Sequence, residues 1–281
     1  MIAAFARALP DTPLPSSWEP LFGGRTNMAW RGICEGAPDV VLKLYRGAAQ
    51  NPLFPNDPAA ETQLLKILAT HPMAPHFCAS FESEDGQCNV YEHLPGRLWQ
   101  SDTKAVAALM RDLHRIPPPT GLRQVPDGSS ELRTQIESIL SRCSEPPDLL
   151  SQLPARDIAP CGRCALLHSD IVPGNLIEND KGLHLIDWQC PAIGDPCEDI
   201  AIFLSPAMQI LYRGEPLNQA EIETFFAAYD DAATATRYQS LVPFYHARIA
   251  AYCLWQMEHG QPEYRDGLQL EMAALQRSLK A

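Results

Sequence analysis

The sequence predicts an α+β protein of two lobes, in which an N-terminal antiparallel sheet carries one main helix and the C-terminal lobe is mainly α-helical. Three observations predict this. Short apolar and β-branched runs separated by turns precede Pro95-Gly96, and helical periodicities follow it. A strand, loop and strand unit lies at residues 168–187. A chain of 281 residues with 46% hydrophobic content can bury two cores, so we divide it into residues 1–95 and 96–281.

Charge and hydropathy exclude several functional classes. The formal net charge of -12 and the absence of a basic run argue against nucleic acid as a partner. No apolar run approaches the length of a membrane span, and the apolar start of the chain is too short for a signal peptide. The sequence therefore predicts a soluble, cytoplasmic protein with no membrane partner. It does not predict an oligomeric state.

The nine cysteines are an odd number scattered through the chain, which indicates reduced thiols rather than a disulfide framework. Cys161 and Cys164 have CxxC spacing. This spacing leaves open redox chemistry or half of a zinc site, although no second CxxC or paired histidines accompany it. The more common alternative is that the cysteines are small apolar residues.

The first element with chemical meaning is a turn at Gly23-Gly24, between two short extended runs. Glycines let the backbone approach anionic oxygens closely and point amide groups at them, so the turn predicts a hairpin that covers phosphates. An ordinary hairpin is the alternative, because a Gly-Gly turn is common.

The next run, residues 39–45, is a β-branched strand that carries Lys43 among apolar neighbours. Side chains alternate along a strand, so Val41, Lys43 and Tyr45 share one face. Lys43 then faces a nucleotide cleft, or else it is a solvent-facing lysine on an edge strand.

Glu61 opens a helical pattern in which it shares one face with Leu64, Leu65 and Leu68. A carboxylate on a buried stripe is costly unless it is paired, and Lys43 is the natural partner. Together the two side chains would position the α- and β-phosphates of a nucleotide. The alternative is a first-turn glutamate that the helix dipole favours.

The strand at residues 89–94 ends at the Pro95-Gly96 break. Its last backbone amides and carbonyls are left free by this ending, so Glu92, His93 and Leu94 are candidates for hydrogen bonds to an adenine edge. A plain strand and turn is equally consistent with these residues.

Beyond the break, helical spacing predicts a core-facing helix that is capped by Ser101 or Asp102 and a second helix after Ser129 or Ser130. His114, at the end of the first helix, is predicted to be a structural hydrogen-bonding residue.

The loop from Asp170 to Asn175 is too rich in proline and glycine to be a helix, and Asp187 closes the following apolar run. Transfer of a phosphoryl group to a hydroxyl requires a carboxylate near the acceptor proton, and Asp170 would serve there. The Asn175 amide oxygen and the Asp187 carboxylate would share one Mg²⁺, which prefers oxygen ligands. The three residues are therefore the candidate catalytic set.

The C-terminal helices contain the candidate acceptor residues. Tyr245, Tyr252, Trp255 and Glu258 fall at helical spacings that would present an aromatic and acidic wall to a cation. An ordinary amphipathic helix is the alternative.

In this order, the segments resemble the aminoglycoside phosphotransferase and choline kinase family, which has the two-lobed protein-kinase-like fold. The resemblance covers most of the chain and rests on GGRTN at 23–27, VVLK ending at Lys43, Glu61, LMRDLH at 109–114, HSDIVPGN at 168–175, IDWQ at 186–189 and GDPCEDIA at 194–201. HSDxxxxN with IDW is the specific part of this pattern, and GGRTN alone is weak. IDW stands here in place of DFG.

The resemblance implies an ATP-dependent kinase that phosphorylates a hydroxyl of a small metabolite, with cationic compounds such as choline, thiamine or an aminoglycoside as candidates. It implies Asp170 as the catalytic base, Asn175 and Asp187 as magnesium ligands, and His168, Asp195 and Asp199 as scaffold. It also implies that Lys43 and Glu61 are the pair that positions the phosphates. With the turn and the strand end described above, the predicted nucleotide-binding residues are Gly23, Gly24, Asn27, Lys43, Glu61, Glu92, His93 and Leu94.

The alternative is a nucleotide-binding pseudokinase or scaffold without turnover. The intact set of Lys43, Glu61, Asp170, Asn175 and Asp187 argues against it.

Overall fold

A computed structural model describes residues 1–10, 12–21, 27–46 and 51–280. The chain forms two compact units, and each consists of two segments. The N-terminal unit is Met1–Leu98 with Asn175–Pro191, and the C-terminal unit is Trp99–Gly174 with Ala192–Ala281. The predicted α+β class is confirmed. Residues 175–191, which the sequence analysis placed in the second lobe, pack with the first.

The main sheet of the N-terminal unit is antiparallel throughout, with strand order β1-β2-β3-β5-β4. Its strands are β1 (Ser17–Leu21), β2 (Met28–Ile33), β3 (Val40–Leu44), β4 (Phe77–Ser83) and β5 (Gly86–Glu92). All five residues of the central strand β3 are buried, as its β-branched and apolar composition predicts. A short helix, α1 (Ile2–Ala8), adds the buried Phe5 to one core cluster with Leu42 and Val90.

Among the described residues of this unit, α2 (Pro58–Ile67) is the longest helix. The Asp57 side chain caps its N-terminus by accepting hydrogen bonds from the amides of Ala59 and Ala60, both at 3.0 Å. Leu64 and Leu65 are fully buried, so α2 presents the apolar stripe that the sequence pattern predicts.

A second sheet in the N-terminal unit explains why residues 175–191 belong there. Its order is β10-β9-β6, with β6 (Arg97–Leu98), β9 (Leu176–Asn179) and β10 (Gly182–Leu185). Gly96 precedes β6 at a close approach, because a Cβ atom there would lie 2.5 Å from the Glu178 carbonyl oxygen. The pairing of β6 with β9 thus joins the two chain segments.

The C-terminal unit is mainly helical. It contains α3 (Thr103–Leu113), α4 (Ser129–Leu140), α5 (Cys197–Leu204), α6 (Pro206–Arg213), α7 (Gln219–Tyr229), α8 (Ala232–Glu258) and α9 (Tyr264–Ser278). Asp102 caps α3, as predicted, through a 3.1 Å hydrogen bond from the Ala105 amide. The long helix α8 packs against α4, α5 and α9. A small sheet has the order β7-β11-β8, formed by β7 (Arg123–Gln124), β11 (Ala192–Gly194) and β8 (Ala165–Leu167).

In the described parts of the chain, no helix is both long enough and apolar enough to span a bilayer.

Candidate active site

Lys43 lies between two carboxylates in the N-terminal unit. Its Nζ atom is 2.7 Å from Glu61 Oε2 and 2.5 Å from Asp187 Oδ1. Lys43 and Glu61 are only 3% and 1% exposed. The structure thus brings together the predicted pair and adds Asp187 as a second partner of the lysine.

Local structure explains this arrangement. Lys43 lies on β3, where alternation turns its side chain to the face that α2 covers, and Glu61 lies in the first turn of α2. A buried lysine and a buried carboxylate each lose hydration, so each requires the other. The two side chains are therefore held by the packing of a helix on a sheet.

Burial opposes the positive charge of Lys43, but the carboxylates of Asp187 and Glu61 outweigh it and hold the pKa of Lys43 above its ordinary value. Burial also disfavours the charge of Glu61. Lys43 opposes this effect and Asp187 adds to it, and the pKa of Glu61 rises to about 7. Lys43 is therefore a permanent cation beside two acidic groups.

The raised pKa of Glu61 predicts a pH-dependent stability. Between its ordinary pKa of 4.5 and about 7, the folded state holds a proton that the unfolded state has lost. The free energy of unfolding therefore falls as pH rises through this window. Glu61→Gln removes this proton, so we expect the stability of the variant relative to wild type to increase by at most about 3 kcal/mol from pH 4.5 to 7.

Urea unfolding at several pH values between 4.5 and 8 measures this difference. Glu84→Gln, at an exposed position, is the matched control and should keep the wild-type pH dependence. A parallel pH dependence of Glu61→Gln and wild type would contradict the assignment.

Sequence reasoning missed two residues that contact this group. The Tyr45 hydroxyl donates a hydrogen bond to Glu61 Oε2, and Asn89 Nδ2 donates to the Tyr45 hydroxyl at 3.1 Å. The strand pattern shows only that Tyr45 shares a face with Lys43, because it follows by two residues. That Asn89 lies opposite Lys43 on β5 depends on the register, which the structure gives. An asparagine inside a strand is also unusual.

The β9–β10 hairpin brings the two predicted metal ligands to the same end of one small structure. Asn175 directly precedes β9, and Asp187 follows β10 by two residues. Leu176 pairs with Leu185, and the Ile186 amide donates to the Asn175 carbonyl at 3.0 Å. The antiparallel register therefore sets the backbone of Asn175 opposite the residue that precedes Asp187.

Asp187 itself adopts the left-handed conformation, with φ of 63°. This conformation is unfavourable for residues other than glycine, so the turn needs support. The Trp188 indole donates to the Leu185 carbonyl at 3.0 Å and closes the turn. Carboxylate and amide oxygens are ligands that Mg²⁺ accepts, so the donor set of Asn175 and Asp187 fits that ion.

The glycine-rich turn is described only in part. Gly23 and Gly24 lie outside the described residues. Asn27 Nδ2 donates to Gln189 Oε1 at 2.7 Å and to Asn56 Oδ1 at 2.9 Å. The Asn27 side chain thus joins the end of this turn to the segment that follows Asp187.

The structure narrows the prediction for the strand end at Glu92–Leu94. The Glu92 amide donates to the His76 carbonyl at 2.8 Å, and the His93 amide donates to the Asp39 carbonyl at 2.7 Å. The prediction that these two amides are free is wrong, because the backbone runs on in register past the end of β5. Contact with an adenine edge stays a prediction for the carbonyls and for Leu94.

The predicted catalytic loop begins in the C-terminal unit, directly after β8. The Asp199 carboxylate accepts hydrogen bonds from the amides of His168 at 3.0 Å and Ser169 at 2.7 Å. The Asp170 amide donates to the His168 ring at 3.3 Å, and the Asp170 carbonyl accepts from Val172. A fully buried carboxylate and imidazole therefore fix the backbone on which Asp170 is carried.

Ser169 occupies a costly position in this loop. Its φ of 64° is left-handed, and among the described residues its buried hydroxyl finds no hydrogen-bond partner. Left-handed backbone costs a residue with a Cβ atom about 1–2 kcal/mol, and an unpaired buried hydroxyl adds a similar amount. Glycine avoids both costs but loses more backbone entropy on folding.

We therefore expect Ser169→Gly to raise the free energy of unfolding by about 1 kcal/mol in urea titrations. Ser169→Ala removes the hydroxyl but keeps the unfavourable φ, so its gain should be smaller. A Gly variant less stable than the Ala variant would show that backbone conformation does not limit this site.

His114 has the structural role that the sequence predicts. Its Nε2 atom lies 3.1 Å from Asp199 Oδ2, and its Nδ1 atom lies 2.8 Å from the Tyr229 hydroxyl. The Asp199 carboxylate accepts this hydrogen bond, so the Nε2–H group of His114 is the donor. Asp195 also supports the scaffold, because its carboxylate accepts from the Cys197 amide at the start of α5.

The surroundings of the CxxC pair do not suit a metal ion. Cys161, Asp127 and Asp195 offer ligand atoms within 4.8 Å of one another. However, Arg237 donates to Asp127 at 2.7 Å and to Asp195 at 2.6 Å, so a guanidinium already neutralises both carboxylates. Burial raises the pKa of the Cys161 thiol to about 11, which keeps it protonated at neutral pH, and Cys164 is exposed. The geometry therefore favours a structural role for this cluster, in which Arg237 connects Asp127 and Asp195 through hydrogen bonds.

The predicted acceptor wall does not form an open aromatic surface. Tyr245, Tyr252 and Trp255 are 2%, 2% and 8% exposed and pack as core residues of α8. The Glu258 carboxylate accepts hydrogen bonds from the Ser144 amide at 2.8 and 3.1 Å. The structure therefore favours the alternative of an ordinary amphipathic helix, because the three aromatic rings are buried in the core.

Solved structures share this fold at low sequence identity. A choline/ethanolamine kinase family protein from Mesorhizobium loti is 15% identical, with 100% of this chain and 96% of that chain covered and a TM-score of 0.65. An aminoglycoside 2'-phosphotransferase of type IIIa, in complex with GDP, is 17% identical over 97% and 95% of the two chains, with a TM-score of 0.67. An amicoumacin kinase in complex with AMP-PNP and Ca²⁺ is 16% identical over 97% and 91%, with a TM-score of 0.63.

No curated protein matches the sequence. A family model does match it, over residues 17–241, which is most of the chain. The resemblance that the sequence motifs indicated is thereby confirmed. The chain belongs to the phosphotransferase enzyme family.

Proposed function

We propose that the protein is an ATP-dependent phosphotransferase that transfers the γ-phosphate to a hydroxyl of a small molecule. The observation that carries this proposal is the contact of the buried residues Lys43 and Glu61 with each other and of Lys43 with the partly exposed Asp187. A lysine ammonium has three N–H donors, and two of them point at carboxylates 2.7 and 2.5 Å away. The third N–H donor and the fixed position of the ammonium suit Lys43 to bind a phosphate oxygen.

The hairpin residues Asn175 and Asp187 would hold Mg²⁺, which supplies positive charge to the phosphate oxygens when it is bound. Lys43 lies against Asp187 and partly balances its charge. Among the structural neighbours, one is a complex with AMP-PNP and Ca²⁺ and one is a complex with GDP, which supports a nucleotide and a divalent cation as the cofactors.

Asp170 would accept the proton of the attacking hydroxyl. Asp170 is partly exposed, whereas its neighbours His168 and Ser169 are buried, so of these three residues it is the one that a substrate can reach. The hydrogen bonds of Asp199 to this loop restrict the backbone of Asp170, which favours the correct orientation of a general base.

The acceptor is proposed as a small hydroxylated metabolite. A structural neighbour is a choline/ethanolamine kinase family protein, which supports amino alcohols as the first compounds to test. Because the aromatic rings of α8 are buried, they lend no support to a cationic acceptor, and neutral sugars and homoserine belong in the same panel.

The test is ADP release from ATP and Mg²⁺ across choline, ethanolamine, thiamine, aminoglycosides, sugars and homoserine, with GTP as a second donor. Acceptor-dependent release that Asp170→Asn abolishes is the expected result. Tight binding of Mg²⁺ and ATP without release for any acceptor would favour the pseudokinase. No nucleotide binding at all would overturn the proposal.

A further inference from the structure

A chain of hydrogen-bonded polar side chains, most of them buried, extends from Lys43 to Thr62 of α2. Asn89, fully buried on β5, donates from Nδ2 to the Tyr45 hydroxyl at 3.1 Å and to the Pro58 carbonyl at 3.3 Å. Its Oδ1 accepts from the Thr62 hydroxyl at 2.9 Å. The Tyr45 hydroxyl donates in turn to Glu61 Oε2. Three residues of α2 are thereby tied to β3 and β5.

These hydrogen bonds require polar groups to be buried, which costs free energy. Burying an amide or a hydroxyl costs free energy unless every polar atom is paired, and a leucine would fill the position of Asn89 without that cost. Asparagine is also disfavoured inside strands. Here the amide is fully used, and its partners are the first two turns of the helix that carries Glu61. The polar network therefore specifies where α2 lies on the sheet.

The network also determines the environment of Glu61. Lys43 and Tyr45 both donate to the same oxygen of the Glu61 carboxylate. When Lys43 shares its protons with a phosphate, the Tyr45 hydroxyl still satisfies this oxygen. The Tyr45 ring lies 5.0 Å from Lys43 Nζ, so the same side chain also contacts the cation.

We propose that Tyr45 and Asn89 are positioning residues of the nucleotide site, which hold α2 and the Glu61 carboxylate so that Lys43 is preset for phosphate. The proposal rests on the proposed function, because it assigns the network to the binding of a nucleotide. In this proposal both residues act through Glu61, because the Tyr45 hydroxyl donates to its carboxylate and Asn89 donates to that hydroxyl.

A double-mutant cycle tests the proposal by calorimetric titration of Mg²⁺ and ADP. Tyr45→Phe keeps the ring and removes only the hydroxyl. It is expected to weaken ADP binding about fivefold to tenfold, as the loss of one hydrogen bond of ordinary strength predicts. In the Glu61→Ala background, which lacks an acceptor for the Tyr45 hydroxyl, the same change is expected to alter the affinity less than about twofold. A loss of the same size in both backgrounds would overturn the proposal, and so would wild-type affinity in Tyr45→Phe.

Hydrogen exchange of the α2 amides in the nucleotide-free protein provides a second measurement. Tyr45→Phe and Asn89→Leu are expected to speed exchange in α2 about tenfold, whereas Tyr238→Phe, which removes a buried hydroxyl from α8, leaves it unchanged. If Asn89→Leu does not fold, Thr62→Val replaces it, because it removes only the hydroxyl that donates to Asn89.

The two measurements separate the positioning role from the proposed function. If the wild type binds no nucleotide, the proposed function fails, and α2 exchange alone decides the role of the network. Exchange in Tyr45→Phe equal to that in wild type would then overturn the positioning role.

Discussion

Asp170→Asn is expected to lower the turnover number about 10²-fold to 10⁴-fold and to change the dissociation constant of ATP less than about threefold. The amide has the size of the carboxylate but cannot take a proton from the acceptor hydroxyl. The backbone of the loop is fixed by Asp199 through the amides of His168 and Ser169, so the substitution leaves those hydrogen bonds in place. The loss should therefore fall on the chemical step.

Steady-state kinetics with the acceptor identified in the ADP-release panel measure the turnover, and calorimetry measures ATP binding. Asp180→Asn makes the same chemical change at an exposed turn and should behave as wild type. If Asp170→Asn keeps more than about one tenth of the turnover, Asp170 is not the general base.

The second large effect is expected from Asp187→Asn, which should abolish the contribution of Mg²⁺ to nucleotide binding. An amide oxygen is a weaker ligand for a hard cation than a carboxylate, and the substitution removes the only full negative charge of the predicted metal site. The substitution also removes one of the two carboxylates that neutralise Lys43. Nucleotide binding without Mg²⁺ should persist, because Lys43 keeps its contact with Glu61.

Calorimetric titration of ADP with and without Mg²⁺ tests this. For wild type we expect Mg²⁺ to tighten binding about tenfold or more, and for Asp187→Asn the two affinities should agree within about twofold. Asp180→Asn again serves as the matched control. A magnesium effect of wild-type size in Asp187→Asn would place the metal on other ligands.

The sequence predicted the ion pair of Lys43 and Glu61, but it did not predict the other side chains that contact this pair. A carboxylate on the buried stripe of a helix and a lysine among apolar strand residues each require an opposite charge, so the pairing of Glu61 with Lys43 follows from the cost of burial. The same argument does not predict how many carboxylates contact Lys43. It could not show that Lys43 also contacts Asp187, because that contact depends on how the β9–β10 hairpin packs.

The missed residues have a different explanation. Asn89 and Tyr45 become meaningful only when the register of β3 and β5 is known, since the register sets Asn89 opposite Lys43. Helical periodicity also cannot distinguish an aromatic residue that faces a cavity from one in the core, and for Tyr245 and Trp255 the core was the outcome. The end of a strand was judged from proline and glycine, yet His93 continues the backbone pairing beyond it.

The pairing of β6 with the β9–β10 hairpin affects how the N-terminal unit folds while the chain is being synthesised. A fragment that ends at Leu98 has the main sheet and α2, but it lacks the hairpin and Asp187. Lys43 in that fragment has one counter-charge instead of two, and β6 has no neighbouring strand. The nascent chain must therefore extend beyond residue 187 before the unit can complete its core. A ribosome-bound intermediate that is stalled earlier would expose an unfinished lobe to proteases and chaperones.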